Sequence, residues 1–210
     1  MFIELVDALR CPVPHEESWL VAATTRMEHR HIVEGTLGCP VCRAEYPVVR
    51  GVVDFRRAPQ GPLPREAPPS ETEAMRLAAF LALTDRTGFA VLLGGWSVHA
   101  PLLRALVETP LVVIDPPEGT EGEPGISVIR CDGPLPLADG AARGVAVDVA
   151  SPLRVESAVG ATRASGRLVL PAAAPVPAGV RELARDAAVI VAEREAAASP
   201  PITLHVRRRG

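Results

Sequence analysis

The sequence contains no lysine and no asparagine; all 22 of its basic residues are arginine. With its heavy use of Ala, Pro, Gly and Val, this is the residue usage expected of a GC-rich genome. The arginine preference therefore carries little functional weight. A charge excess is also missing. The formal net charge is −3, which gives no broad electrostatic basis for coating a nucleic acid. No uninterrupted apolar stretch reaches the roughly 18 residues that a transmembrane helix needs. No apolar run after a basic start marks a signal peptide. The expectation is a cytoplasmic protein with no membrane partner, where thiols stay reduced. Cysteine is scarce: Cys11, Cys39, Cys42 and Cys131 are the only four. In a reducing compartment a Cys-x-x-Cys pair points to metal or redox chemistry before a disulfide.

What is present is a core. Hydrophobic residues make up 48% of 210 residues, which excludes general disorder. The proline-rich, polar stretch "RAPQGPLPREAPPS", residues 57–70, reads as a stiff linker between a front module (1–56) and a back domain (71–210). A module as short as the front one buries too little apolar surface to be safely stable alone, and a metal is a common staple. Its pattern predicts a short helix "FIELVDAL", a first knuckle "RCPVPHEE" and a hairpin over residues 19–37. A second knuckle follows, then the strand pair "AEYPVV" and "VVDF" turned at Gly51.

After the linker, "SETEAMRLAAFLALTDRTG" has a Ser cap, early acids and helical apolar spacing. Strands and helices then alternate. "FAVLLGG", "PLVVIDPP", "GISVIRCD", "RGVAVDVA" and "GRLVLP" read as strands; residues 97–109, 152–165 and 177–187 read as helices. "AVIVAERE" and "ITLHVRRR" read as a final antiparallel strand pair. Strands apolar throughout and alternating with helices argue for a mostly parallel sheet covered on both faces.

A structural zinc site takes four N or S ligands in a tetrahedron. Cys39 and Cys42 supply one C-x-x-C pair, and the "CP" at Cys11-Pro12 echoes Cys39-Pro40. The partner of Cys11 is not a cysteine; His15 stands within reach as C-x-x-x-H. The expected set is Cys11, His15, Cys39 and Cys42 around one zinc. His29 and His31 are rivals for the fourth place, but they alternate along a predicted strand as surface residues do. The competing view is a decayed ribbon whose thiols pack as small hydrophobes. Cys131 reads as a plain buried thiol.

The run "LRCP…EGTLGCPVCRAEYPVVRGVVDF" resembles the zinc-ribbon family of small methyltransferase-activator subunits and their short bacterial relatives. The resemblance covers the front quarter of the chain. It implies a protein partner: activators of this family bind and stabilise methyltransferases acting on tRNA, rRNA and translation factors, often by adding a strand to their sheet.

The order of elements in the back domain resembles the class I S-adenosylmethionine-dependent methyltransferase fold. The fold class expected overall is α/β: a small zinc-ribbon β module followed by a Rossmann-like, methyltransferase-type sheet with helices on both faces. The resemblance puts Gly94 and Gly95 in the cofactor turn after the first strand. It puts Asp115 at the ribose-binding end of the second strand ("VVIDPP") and Asp132 at the adenine position after the third ("VIRCDGPLPLADGAARGVAVD"). The glycine turn departs from the family. "VLLGGWSVHAP" has Leu93 where an acid is expected, Ser97 at the second glycine and His99 at the third. A histidine there obstructs close backbone approach, unless it is simply a helix-surface residue. "VDVASP" offers Asp148 and Ser151 but no amino-group clamp. S-adenosylmethionine is therefore expected to bind weakly or not at all. Three functions follow: a non-catalytic partner or scaffold, favoured by the damaged turn; a working methyltransferase with an atypical cofactor loop, favoured by the two acids; and a nucleic-acid-binding ribbon, which the low net charge disfavours.

Overall fold

The structure, a computed structural model, describes residues 1–56, 68–148 and 151–196. The described residues form a mixed α/β protein with few helices, built on one sheet of 11 strands. The strands are β1 (Val21–Glu28), β2 (His31–Gly38), β3 (Glu45–Val49), β4 (Val52–Asp54), β5 (Ala90–Leu93), β6 (Leu111–Ile114), β7 (Ile126–Arg130), β8 (Ala142–Ala146), β9 (Thr162–Pro171), β10 (Val180–Arg185) and β11 (Val189–Arg194). Their order is β1-β2-β3-β4-β7-β6-β5-β8-β9-β11-β10. The centre, from β4 to β9, is parallel throughout. Both wings are antiparallel.

The central strands are apolar on both faces because both faces are covered. All four residues of β5 and all four of β6 are buried. Alternate residues divide between two cores. Val91 and Leu93 pack with Val112, Ile114, Ile129 and Val145, and with Val155 and Ala158 of helix α3 (Pro152–Ala161). Ala90 and Leu92 pack with Leu111, Val113 and Val128. Helices α1 (Glu71–Phe80) and α2 (Ala100–Leu106) add Leu77 and Leu103 to that second core. Ser70 caps α1: its side chain accepts from the Glu73 amide.

The front module is continuous with this sheet. Its last strand, β4, pairs in parallel with β7: Val52 with Val128, Val53 with Ile129, Asp54 with Arg130. Leu5, Leu9, Ile32, Leu37, Val48 and Val53 share one core with Val112, Ile129 and Val145. A 3-10 helix, Ile3–Ala8, lies at the start of the chain. The chain after it is fixed by Leu9 bridging Leu137, by the Ala138 amide donating to the Ala8 carbonyl (2.7 Å), and by the Arg10 amide donating to Pro136 (3.0 Å). Two tight hairpins follow. In the first, His29 and Arg30 (φ 46 and 65) form the β1–β2 turn. In the second, Arg50 and Gly51 (φ 51 and 73) form the β3–β4 turn. Positive φ at both central residues matches the right-handed twist of the flanking strands. A Cβ on Gly51 would stand 2.7 Å from His31 Nε2, so only glycine fits there.

Several expectations are corrected. Residues 177–187 do not form a helix; they contain β10, an edge strand paired to β11. Its periodicity suits either state, but Pro175, Pro177 and Gly179 precede it, and the open edge of β11 supplies hydrogen-bond partners that a lone two-turn helix would lack. The helix over 97–109 divides into a 3-10 segment, Gly94–His99, and α2. β9 begins at Thr162, so α3 stops at Ala161, before Gly166. The strand "ITLHVRRR" and most of the linker lie outside the described residues. β11 pairs antiparallel with both β9 and β10.

Candidate metal centre

Each knuckle is set by the paired backbone that leads into it. Cys11 follows the bridged pair Leu9-Arg10, and its amide donates to the Ser18 carbonyl (3.1 Å). Cys39 immediately follows β2. Its amide donates to Ala44 (2.9 Å), and its carbonyl accepts from the Arg43 amide (2.9 Å), which closes a tight turn around Cys42. Arg43 takes φ 62 to complete it.

The turn brings together the four residues that the sequence nominates. The ligand atoms of Cys11, His15, Cys39 and Cys42 all lie within 4.8 Å of one another. Cys11 Sγ is 3.6 Å from Cys42 Sγ, and Cys39 Sγ is 3.4 Å from His15 Nε2. A tetrahedral zinc, with bonds of about 2.3 Å to sulfur and about 2.0 Å to nitrogen, spaces two sulfurs about 3.8 Å apart and sulfur from nitrogen about 3.5 Å. The donor set and the spacing fit a metal ion and are compatible with zinc. His15 is oriented for this: its Nδ1 contacts the Glu16 carbonyl, which leaves Nε2 to face the thiols. Burial pushes the Cys39 thiol up. The amides of Cys42 and Val41 and the neighbouring thiols outweigh it and draw Cys39 down to about 6. Cys11, for which burial is the largest influence, is raised.

The rival histidines are elsewhere. His29 is exposed in the β1–β2 turn. His31 is not a surface residue; it is 4% exposed, with Nε2 against the Met1 main-chain nitrogen. The sequence pattern also passed over Tyr46, whose hydroxyl lies 3.5 Å from Cys11 Sγ and whose ring packs on Phe55 at 4.7 Å. Its only signal was its place as the single tyrosine, four residues after Cys42.

A cleft of about 880 Å³ opens beside the centre, between Pro12, Pro14, Tyr46, Phe55, Arg56 and Asp132. Asp132 is thus exposed in the cleft wall, just beyond β7. Gly94 and Gly95 follow β5, and Asp115 follows β6, so these nominated residues gather at the carboxyl ends of three neighbouring parallel strands. Their surroundings are already occupied. Asp115 Oδ1 accepts from the Cys131 amide (2.8 Å), and Oδ2 accepts from Arg154 Nη2 (2.8 Å). Arg154 also donates to the Cys131 carbonyl (2.6 Å). Burial holds Asp115 above the ordinary carboxylate range, opposed by the Cys131 amide and Arg154. The Gly95 amide donates to Asp148, and a Cβ on Gly94 (φ 55) would lie 2.3 Å from the same carboxylate. His99 is not on the helix surface; it is 8% exposed, and its Nδ1 accepts from the Ser70 amide (3.1 Å). Ser97 is 5% exposed. Cys131 is the buried thiol expected, pushed up to about 12 chiefly by burial. The Arg154 contact had no sequence signal, since it joins residues 39 apart through the fold.

No family model matches the chain, and no curated protein matches it. The class rests on geometry: a mixed α/β protein carrying a three-cysteine, one-histidine cluster that can hold a metal ion. No described helix is long and apolar enough to cross a membrane.

Proposed function

We propose that the cluster holds zinc as a structural ion. The chain is then a non-catalytic partner or scaffold: a zinc-ribbon module built onto a methyltransferase-like sheet, linked to methylation of tRNA, rRNA or translation factors. Three thiols and one imidazole fill a tetrahedron and leave no open position for substrate, which favours a structural role for the metal. The parallel strands of the back half run in the order third, second, first, fourth, fifth (β7-β6-β5-β8-β9), the order of the doubly wound nucleotide-binding folds. Helices α1 and α2 in one core and α3 in the other favour a Rossmann-like arrangement with helices on both faces.

The observation that carries the non-catalytic reading is the Asp115–Arg154 pair. A carboxylate meant for ribose hydroxyls is spent on an internal cation and an internal amide. Asp148 against the Gly94-Gly95 turn supports the same conclusion. Held in this way, these residues do not fit S-adenosylmethionine. The addition of β4 to β7 resembles, within one chain, the strand addition by which activators engage their enzymes. Among the described residues β1 is the outer strand on the front side of the sheet, and it is the edge offered to a methyltransferase or translation-factor partner.

An active methyltransferase is the second reading. It is favoured by the gathering of Gly94, Gly95, Asp115 and Asp132 at the carboxyl ends of adjacent strands, where doubly wound sheets bind ligands. Calorimetry separates the two. Titration with S-adenosylmethionine is expected to give no micromolar binding. A micromolar dissociation constant, abolished by Asp115→Ala, gives the enzyme first place. Affinity purification from the native host that repeatedly returns neither a methyltransferase nor a translation factor sinks the partner role.

A further inference from the structure

The three thiols of the centre differ in access: Cys39 is buried, Cys11 is half-buried and Cys42 is exposed. They also differ in partners. The Cys11 sulfur has the Tyr46 hydroxyl beside it at 3.5 Å, and a hydrogen bond donated to a thiolate draws electron density from it. Cys39 Sγ faces His15 Nε2 at 3.4 Å, and the residue is buried. Cys42 is thus the sulfur most open to a reagent in solution, and the Cys11 sulfur is only 3.6 Å from it. A disulfide needs about 2.05 Å, so the two sulfurs have a short gap to close.

We propose that Cys42 is an oxidative modification site, oxidised first by hydrogen peroxide and then resolved by Cys11 as a disulfide. The Cys42 thiolate attacks one peroxide oxygen, the O–O bond breaks and hydroxide leaves, so that Cys42 becomes a sulfenic acid. The Cys11 thiolate attacks the Cys42 sulfur, the S–O bond breaks and a second hydroxide leaves. Two thiolates lose two electrons and the peroxide gains them. Cys39 and His15 alone are too few donors to keep a tetrahedral ion, so the metal is released. Cys131 is the internal control, because it is 4% exposed and its sulfur lies against Arg154.

This inference rests on the zinc reading, and the test separates the two. The metal content of the full chain is measured before any oxidant is added; a chain purified without metal sinks the zinc reading. The zinc-loaded chain is then titrated with hydrogen peroxide. Zinc release is followed with a chromophoric indicator, and the products are mapped as non-reduced peptides. The expected result is one zinc released for every two thiols lost, a Cys11–Cys42 cross-link, intact Cys131, and recovery with dithiothreitol and zinc. A trace of iodoacetamide on the loaded protein is expected to label Cys42 before the other cysteines. A Cys39–Cys42 bridge, first labelling at Cys11 or Cys39, or thiol loss with zinc retained overturns the proposal. In a chain found without metal the peptide map still decides the pairing.

Discussion

Arg43 closes the Cys39–Cys42 knuckle in the left-handed region, at φ 62, with an exposed side chain. That conformation costs a non-glycine residue about 1–2 kcal/mol, against about 0.5–1 kcal/mol of extra chain entropy for glycine. Arg43→Gly is therefore expected to stabilise the protein by about 0.5–1 kcal/mol, read as a higher denaturant midpoint. No gain would mean that the arginine side chain contributes as much as its backbone strain removes. His31 tests burial instead. It faces Gly51 and the Met1 nitrogen, its Nδ1 has no partner among the described residues, and burial lowers it from 6.5 to about 4. A base with a depressed folded value adds stability that is complete above 6.5 and is lost as pH falls toward about 4. With zinc saturating, His31→Leu is expected to flatten stability against pH across that window relative to the native chain. Parallel curves for the two proteins contradict this.

At the scale of elements, the two knuckles bring together the four donors that can hold a metal ion. Cys39→Ser or Cys42→Ser is expected to strip the ion and lower the stability of the whole sheet, front and back halves together, because such sites supply on the order of 10 kcal/mol of apparent free energy. His15→Ala weakens binding, whereas His29→Ala leaves it unchanged; chelator competition measures all four. These knuckles were legible in the sequence because ligand spacing is local and the turn chemistry is short-range. The central strands were legible too, since β5 and β6 are apolar at every position. β10 was not legible. Val180 and Leu183 suit a helix as well as a strand, and what decides is the open edge of β11 far along the chain. The Asp115–Arg154 pair was hidden for the same reason. Nothing in "VVIDPP" or "PLRVES" says that the end of β6 meets the first turn of α3. His99 was misjudged because its partner, the Ser70 amide, belongs to another helix.

For the whole molecule, the consequence of one sheet is coupling. Val53 joins the halves: it pairs with Val48 on one side and Ile129 on the other, and it is fully buried. Val53→Ala is expected to cost about 2 kcal/mol, with front and back halves losing stability together in a single transition. Two separated transitions in the native chain contradict a shared core. The proposed structural role of the cluster and its proposed oxidation both depend on four donors around one ion. The most direct measurement is elemental analysis of the intact chain, purified without chelator and set beside Cys39→Ser. The prediction is close to one zinc per native chain and none in the variant. An intact chain that carries no metal, and takes up none when zinc is supplied under reducing conditions, contradicts it.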